Sequence, residues 1–213
     1  MDGKATVKIG DFSRGGQTRG DNRAWDHDLG CEEKSTPCGI VDEDSDQLDL
    51  LFGSSSKTSD FIVDALEAKW HRLEEHEKAD VSKLQIKMDK GPESSGRRRQ
   101  FLYRMVQFAQ AIGKPIQRLY YPPYHSKYNP IERCWGILEQ PWNGTKLIDA
   151  ETMLEWAKSM TWKGLHPVVE LSRQVYPKGI RLSKKAMAAV EARLERDPNL
   201  PKYDILIQPA STA

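Results

Sequence analysis

Three carboxylates in this 213-residue chain stand where the local sequence ends one regular element or begins another: Asp89, Glu132 and Asp2. Asp89 follows an alternating run, residues 83–88, and precedes the turn Lys90-Gly91-Pro92. Its carboxylate either enters the crevice at the carboxyl end of a strand or caps the turn. Glu132 is the third residue after Asn129, with Pro130 between as the first helical position. It can close a capping box with Asn129, and the same geometry pins it rigidly at the mouth of a loop leaving a strand. Asp2 precedes Gly3-Lys4 and another alternating run, as though it ended a strand. Mg²⁺ prefers oxygen ligands, and two such ions roughly 3.5–4 Å apart serve phosphodiester chemistry. Spacing by itself does not single out that chemistry, because three acids occur in any chain.

The elements that would position these acids are readable from periodicity. Residues 5–9 alternate and end at Gly10, and residues 10–35 form a long aperiodic loop rich in Gly, Arg, Asp and Asn. Two short strands are expected at 38–41 and 48–52, the second closed by Gly53. A helix starts with Ser59 or Asp60 as N-cap and dissolves in charges around 76–80. The strand 83–89 follows, then a helix over 96–112 capped by Gly113 with Pro115 beyond it. Residues 116–121 form another strand, and a third helix runs from Asn129-Pro130 to about Glu139, before Pro141. Amphipathic helical segments are expected at 150–160, 167–174 and 183–195, and 203–207 is either a strand or disordered. This order gives a mixed α/β fold class with some parallel pairing.

Composition restricts the partners. No apolar run approaches the roughly 20 residues of a membrane span, and the first 30 residues hold no apolar signal-peptide core. Three cysteines make no disulfide framework, so a reducing cytoplasm is expected. His27, Cys31 and Cys38 lack the paired Cys-x-x-Cys spacing of a zinc site. Cys134 reads as a small buried hydrophobe, His71 and His76 as solvated, and His166 as part of a helix start. The net charge of +1 argues against nucleic acid, but it is an average of two blocks. Residues 25–50 carry nine acids against the single base Lys34, whereas residues 83–133 carry eleven bases against Asp89, Glu93 and Glu132. The basic block, laced with aromatics, is a candidate phosphate-backbone surface, and its alternative is a solvated helix face.

One segment is specific. The run Tyr121-Pro122-Pro123-Tyr124-His125-Ser126-Lys127-Tyr128-Asn129-Pro130-Ile131-Glu132-Arg133-Cys134-Trp135-Gly136 resembles the block around the last acid of bacterial insertion-sequence transposases of the DDE superfamily. Met88-Asp89-Lys90-Gly91-Pro92 resembles the block carrying that family's second acid, with Lys90 where Asn is usual. Asp2-Gly3-Lys4-Ala5-Thr6-Val7, with Phe12-Ser13-Arg14-Gly15-Gly16, is similar to the stretch after the first acid, and Thr161-Trp162-Lys163-Gly164 and His166-Pro167-Val168-Val169 are late landmarks. The resemblance implies an RNase H-like mixed sheet flanked by helices, with Asp2, Asp89 and Glu132 as catalytic residues binding two Mg²⁺ or Mn²⁺ ions.

It further implies DNA partners, transposon ends and target, with hydrolytic nicking followed by attack of the freed 3′-hydroxyl, and it leaves a homo-oligomer open. Arg97, Arg98, Arg99, Lys127 and Arg133 are candidate phosphate contacts, and Tyr124, His125 and Tyr128 candidate contacts near the scissile strand. Lys90 is expected to compete for the Asp89 carboxylate. The expected organisation is a catalytic domain over 1–145, a helical extension over 146–200 and a tail over 201–213. Because Asp2 is the second residue, an N-terminally truncated catalytic portion is expected, which leaves activity of the isolated chain open. The alternatives are a non-catalytic DNA-binding remnant and another RNase H-like nuclease.

Overall fold

The computed structural model describes residues 1–13, 18–20, 33–122 and 126–210. Among these, nine strands and six α-helices follow one another. The first are β1 (Asp2–Gly3), β2 (Val7–Ile9), β3 (Glu33–Val41), β4 (Leu48–Gly53), α1 (Ser59–Arg72) and α2 (Glu75–Asp80). Next come β5 (Leu84–Met88), α3 (Arg99–Ile112), β6 (Ile116–Tyr120) and α4 (Pro130–Trp142). The chain continues through α5 (Ala150–Ser159), β7 (Val168–Ser172), α6 (Lys184–Glu191), β8 (Leu194–Arg196) and β9 (Asp204–Ile207). Most of the expected loop over 10–35, including Arg14, Gly15, Gly16, His27 and Cys31, lies outside the described residues. The elements fall into two compact units, each with its own mixed sheet, and this mixed α/β content is consistent with an RNase H-like fold.

The first unit comprises Asp2–Ser56 and Pro130–Val175. Its sheet runs β1-β3-β4-β7, with β2 also antiparallel to β3 and β4 parallel to β7. Strand β3 is far longer than the expected 38–41, because its polar start Glu33-Lys34-Ser35-Thr36 conceals strand pairing from any hydrophobic pattern. Leu48, Leu50 and Phe52 alternate along β4 into the core, where α4 supplies Ile131, Cys134, Trp135, Leu138 and Trp142 at helical spacing. Helix α4 does not stop before Pro141. It continues to Trp142, whose buried ring meets Phe52 at a centroid distance of 6.1 Å. Helix α5 is capped by Asp149, whose carboxylate accepts from the Thr152 amide at 2.7 Å.

Residues 167–174 are not helical. Val168-Val169 open β7, which lies parallel to β4 in the register Asp49↔Val168 to Gly53↔Ser172. β-branched residues beside an unfilled strand edge favour the extended chain over a weak helical spacing. His166 starts no helix either. Its Nδ1 lies 3.1 and 3.0 Å from the carbonyl oxygens of Lys158 and Met160.

The second unit holds Met1, Lys57–Asn129 and Tyr176–Ala213. Its sheet runs β5-β6-β9-β8, with β5 and β6 parallel and the other pairs antiparallel. The parallel pair is joined through α3, which ends at Gly113 in the left-handed conformation (φ 65°) that glycine tolerates best. The N-cap of α1 is Thr58, whose hydroxyl accepts from the Phe61 amide at 3.3 Å. Ser59 and Asp60 are occupied elsewhere: Ser59 donates to the Glu93 carbonyl at 2.7 Å, and Asp60 binds Gln100 and Arg104 at 2.9 Å each. Residues 75–80, expected to fray, close as α2 through a reciprocal capping box between Glu74 and Glu77. Residues 204–207 form β9, the strand alternative for the tail. The segment 146–200 thus supplies α5 and β7 to one unit, and α6 and β8 to the other.

Candidate metal centre

Two of the three acids come together within the first unit. Asp2, half-buried, lies in β1 opposite Gly39 of β3. Glu132, exposed, is the third residue of α4. A carboxylate oxygen of one lies within 4.8 Å of a carboxylate oxygen of the other. Two oxygens on one Mg²⁺ at about 2.1 Å lie at most about 4.2 Å apart, so a small rotamer adjustment lets this pair share an ion. The donor set fits a hard divalent cation.

What holds the pair is partly a residue without a side chain. A Cβ on Gly39 would come within 2.7 Å of Trp135 Cη2 and clash with Ile131 too. Ile131 and Trp135 flank Glu132 along α4, so the bare Cα of Gly39 lets the helix settle on β3 beside the strand that carries Asp2. A second tie is the ion pair between Lys4, two residues after Asp2, and Glu139, two helical turns beyond Glu132. The Lys4 ammonium also lies 6.0 Å from the Trp135 ring. Neither tie was anticipated from sequence, although a glycine inside a strand is a signal for close backbone approach.

The capping role expected of Asn129 does not occur. Its side chain is fully buried, and among the described residues both amide atoms lack a hydrogen-bond partner. The short 3₁₀ turn Ser126–Tyr128 leads into the buried Asn129. Cys134 is the buried hydrophobe expected; burial pushes its thiol up to about 12, and its sulfur lies 3.5 Å from the Pro130 carbonyl.

Asp89 belongs to the second unit, half-buried and directly after β5. The turn beyond it is closed by its carbonyl oxygen, which accepts from the Gly91 amide at 3.0 Å and the Ser94 hydroxyl at 3.3 Å. The carboxylate is therefore not spent as the turn cap. Lys90 is exposed, and its ammonium lies 6.0 Å from the Tyr203 ring.

The expected DNA contacts are surface groups. Arg97, Arg98 and Arg99 are exposed at the start of α3, with Arg98 paired to Glu93 at 3.0 Å. Lys127 is exposed with its ammonium 5.1 Å from the ring of Tyr128, itself 60% exposed, and Arg133 is exposed on α4. Tyr124 and His125 lie outside the described residues. No helix among the described residues is long and apolar enough to cross a membrane.

No curated protein and no solved structure matches the chain. A family model described as the Rhodopirellula transposase DDE domain matches residues 1–209, nearly the whole sequence. With the paired acids at the start of β1 and α4 and a third acid closing β5, the chain belongs to that transposase DDE-domain family.

Proposed function

We propose that this domain cuts and joins DNA strands in transposition, with Asp2, Asp89 and Glu132 together holding two Mg²⁺ or Mn²⁺ ions. The observation that supports this best is the Asp2–Glu132 pair, within 4.8 Å on elements packed through Gly39. Such ions supply charge neutralisation at the phosphate and a more acidic attacking hydroxyl. The chain's own contribution is placement. Gly39 and the Lys4–Glu139 pair fix the two carboxylates, while β5 presents Asp89 free of the turn that follows it.

In the first reaction water attacks the phosphorus at a transposon end, the P–O3′ bond breaks, and the 3′-oxygen leaves protonated as a free hydroxyl. In the second, that 3′-hydroxyl attacks a target phosphodiester and displaces the target's own 3′-oxygen, so no external energy source is needed. Arg97, Arg98, Arg99, Lys127 and Arg133 would neutralise backbone phosphates, and Tyr124, His125 and Tyr128 would lie along the cut strand.

The test is Mn²⁺-dependent nicking of supercoiled DNA by the full chain. Nicking is expected in wild type and should vanish in Glu132→Gln, Asp89→Asn and Asp2→Asn. A Glu132→Gln protein that nicks as fast as wild type sinks the assignment. Wild type that binds DNA but never nicks would establish the non-catalytic DNA-binding alternative.

A further inference from the structure

A pocket of about 430 Å³ opens in the second unit where α3 begins. Lys90, Arg97, Arg99, Arg196 and Lys202 contribute to its wall, and Glu191 is its one acid. Arg196 is aligned by its own bonds, donating to the Gly96 carbonyl at 3.3 Å and pairing with Glu191 at 3.3 Å. Helix α3 has no acid in its first turn, and its N-cap residue, Arg98, makes no side-chain cap. The positive end of a 14-residue helix therefore adds to the positive potential here.

Behind the wall lies a second, independent observation. Arg118 of β6 is fully buried, and among the described residues none of its three guanidinium nitrogens has a hydrogen-bond partner. Its neighbour is the face of Tyr120, 3.9 Å from the ring centroid, and burial pushes that phenol up to about 12, so it is neutral and no counter-ion. Asp204 acts on the guanidinium, but its oxygens accept from Gln117 at 3.1 and 3.2 Å. Burial pushes Arg118 down to about 10, which leaves it protonated at neutral pH. A buried cation without a full partner destabilises the folded state. Its guanidinium abuts Gly96, itself part of the pocket wall: a Cβ there would lie 2.7 Å from Nη2. An anion resting on the Gly96 backbone would meet this charge with no side chain between.

We propose that this pocket is a phosphate subsite for a DNA strand, in which Arg118, Arg97, Arg99, Arg196 and Lys202 neutralise one backbone phosphodiester beside Asp89. The assignment deepens the DNA reading given above and rests on it. The subsite begins one residue after Asp89, at Lys90, so it would hold the strand in register with that acid. Arg118 sits on the buried face of β6 with Ile116 and Tyr120, where an apolar residue would otherwise be expected. The unpaired charge is thus a cost in the free protein that the ligand offsets.

The decisive measurement is anisotropy of a fluorescent DNA duplex with the full chain in EDTA, over a range of NaCl concentrations. Binding without metal keeps this readout separate from strand cutting. Arg118→Met should raise the melting temperature, because an uncompensated charge is removed. It should also weaken DNA binding about tenfold and flatten the log K against log salt slope by about 0.9. Inorganic pyrophosphate should raise the melting temperature of wild type and not of the variant. A folded Arg118→Met protein with wild-type affinity and slope overturns the proposal. Should that variant not fold, the exposed double variant Arg99→Glu/Lys202→Glu decides, and unchanged DNA affinity overturns it again. Pyrophosphate stabilisation with DNA affinity unaffected in these variants would mark a free-anion site and refute the DNA assignment. Absence of nicking by wild type, with these binding effects intact, would refute catalysis alone.

Discussion

Gly39 lies opposite Asp2 in the β1–β3 ladder, and its bare Cα receives Trp135 of α4 at a separation no Cβ could share. One glycine thus sets the spacing between a strand bearing one acid and a helix bearing another. Gly39→Ala is expected to lift α4 from β3, destabilising the protein by roughly 1–3 kcal/mol as overpacked cores do. Because neither carboxylate is altered, Mn²⁺ affinity measured by titration calorimetry tests the geometric argument. It should fall at least severalfold under conditions where the variant is fully folded. A folded Gly39→Ala protein with wild-type Mn²⁺ affinity would show that the spacing of α4 and β1 does not matter to the acids.

Asp89 and Glu132 were legible as candidates because each closes or opens an element with strong local signals, the alternation through Met88 and the Asn129-Pro130 helix start, whereas Asp2 came only from the family resemblance. What positions them was not legible. Gly39 acts through Ile131 and Trp135, some 90 residues away, and no local pattern encodes that contact. Strand β7 was hidden for the same reason: Val168-Val169 are extended because β4 offers an edge. Arg118 lies in an alternating strand whose 116, 118 and 120 positions all face inward, yet a charged residue there reads naturally as outward-facing. The caps also misled, since Asp60 was claimed by Arg104 and Asn129 by the interior.

The Lys4–Glu139 pair ties the segment after β1 to the far side of α4, with side chains 15% and 32% exposed. Lys4→Glu should place two carboxylates together, lower stability by about 1 kcal/mol and weaken Mn²⁺ binding at Asp2 and Glu132. The exchange Lys4→Glu/Glu139→Lys should recover most of both losses. A double-mutant cycle with no coupling in either quantity would remove this pair from the account.

Cys38 and Cys134 are both buried, and burial holds the Cys134 thiol at about 12. The thiolate is the reactive form, so neither residue should be modified by Ellman's reagent in the native protein below pH 9 or so. In a Cys31→Ser background, labelling should appear only with unfolding, and its rate should follow the unfolding equilibrium. Rapid native labelling of Cys134 would contradict its place in the core of α4 and β4.

Arg104 gathers three carboxylates between α3 and α1: Asp60 at 2.9 Å, Asp64 at 2.8 Å and Glu67 at 3.2 Å. The three acids hold the guanidinium well above its usual range, although its desolvation is the largest single effect and acts in the opposite direction. Arg104→Met removes the cation that bonds all three and leaves like charges about one turn apart on α1, a loss of about 3 kcal/mol at pH 7. The salt dependence fixes the cause. Repulsion among the three acids, half-buried near the surface, is screened by added salt. The variant's deficit relative to wild type should therefore shrink between low salt and about 1 M NaCl, when measured by urea unfolding. A deficit that stays constant over this range would mean that Arg104 acts by packing alone.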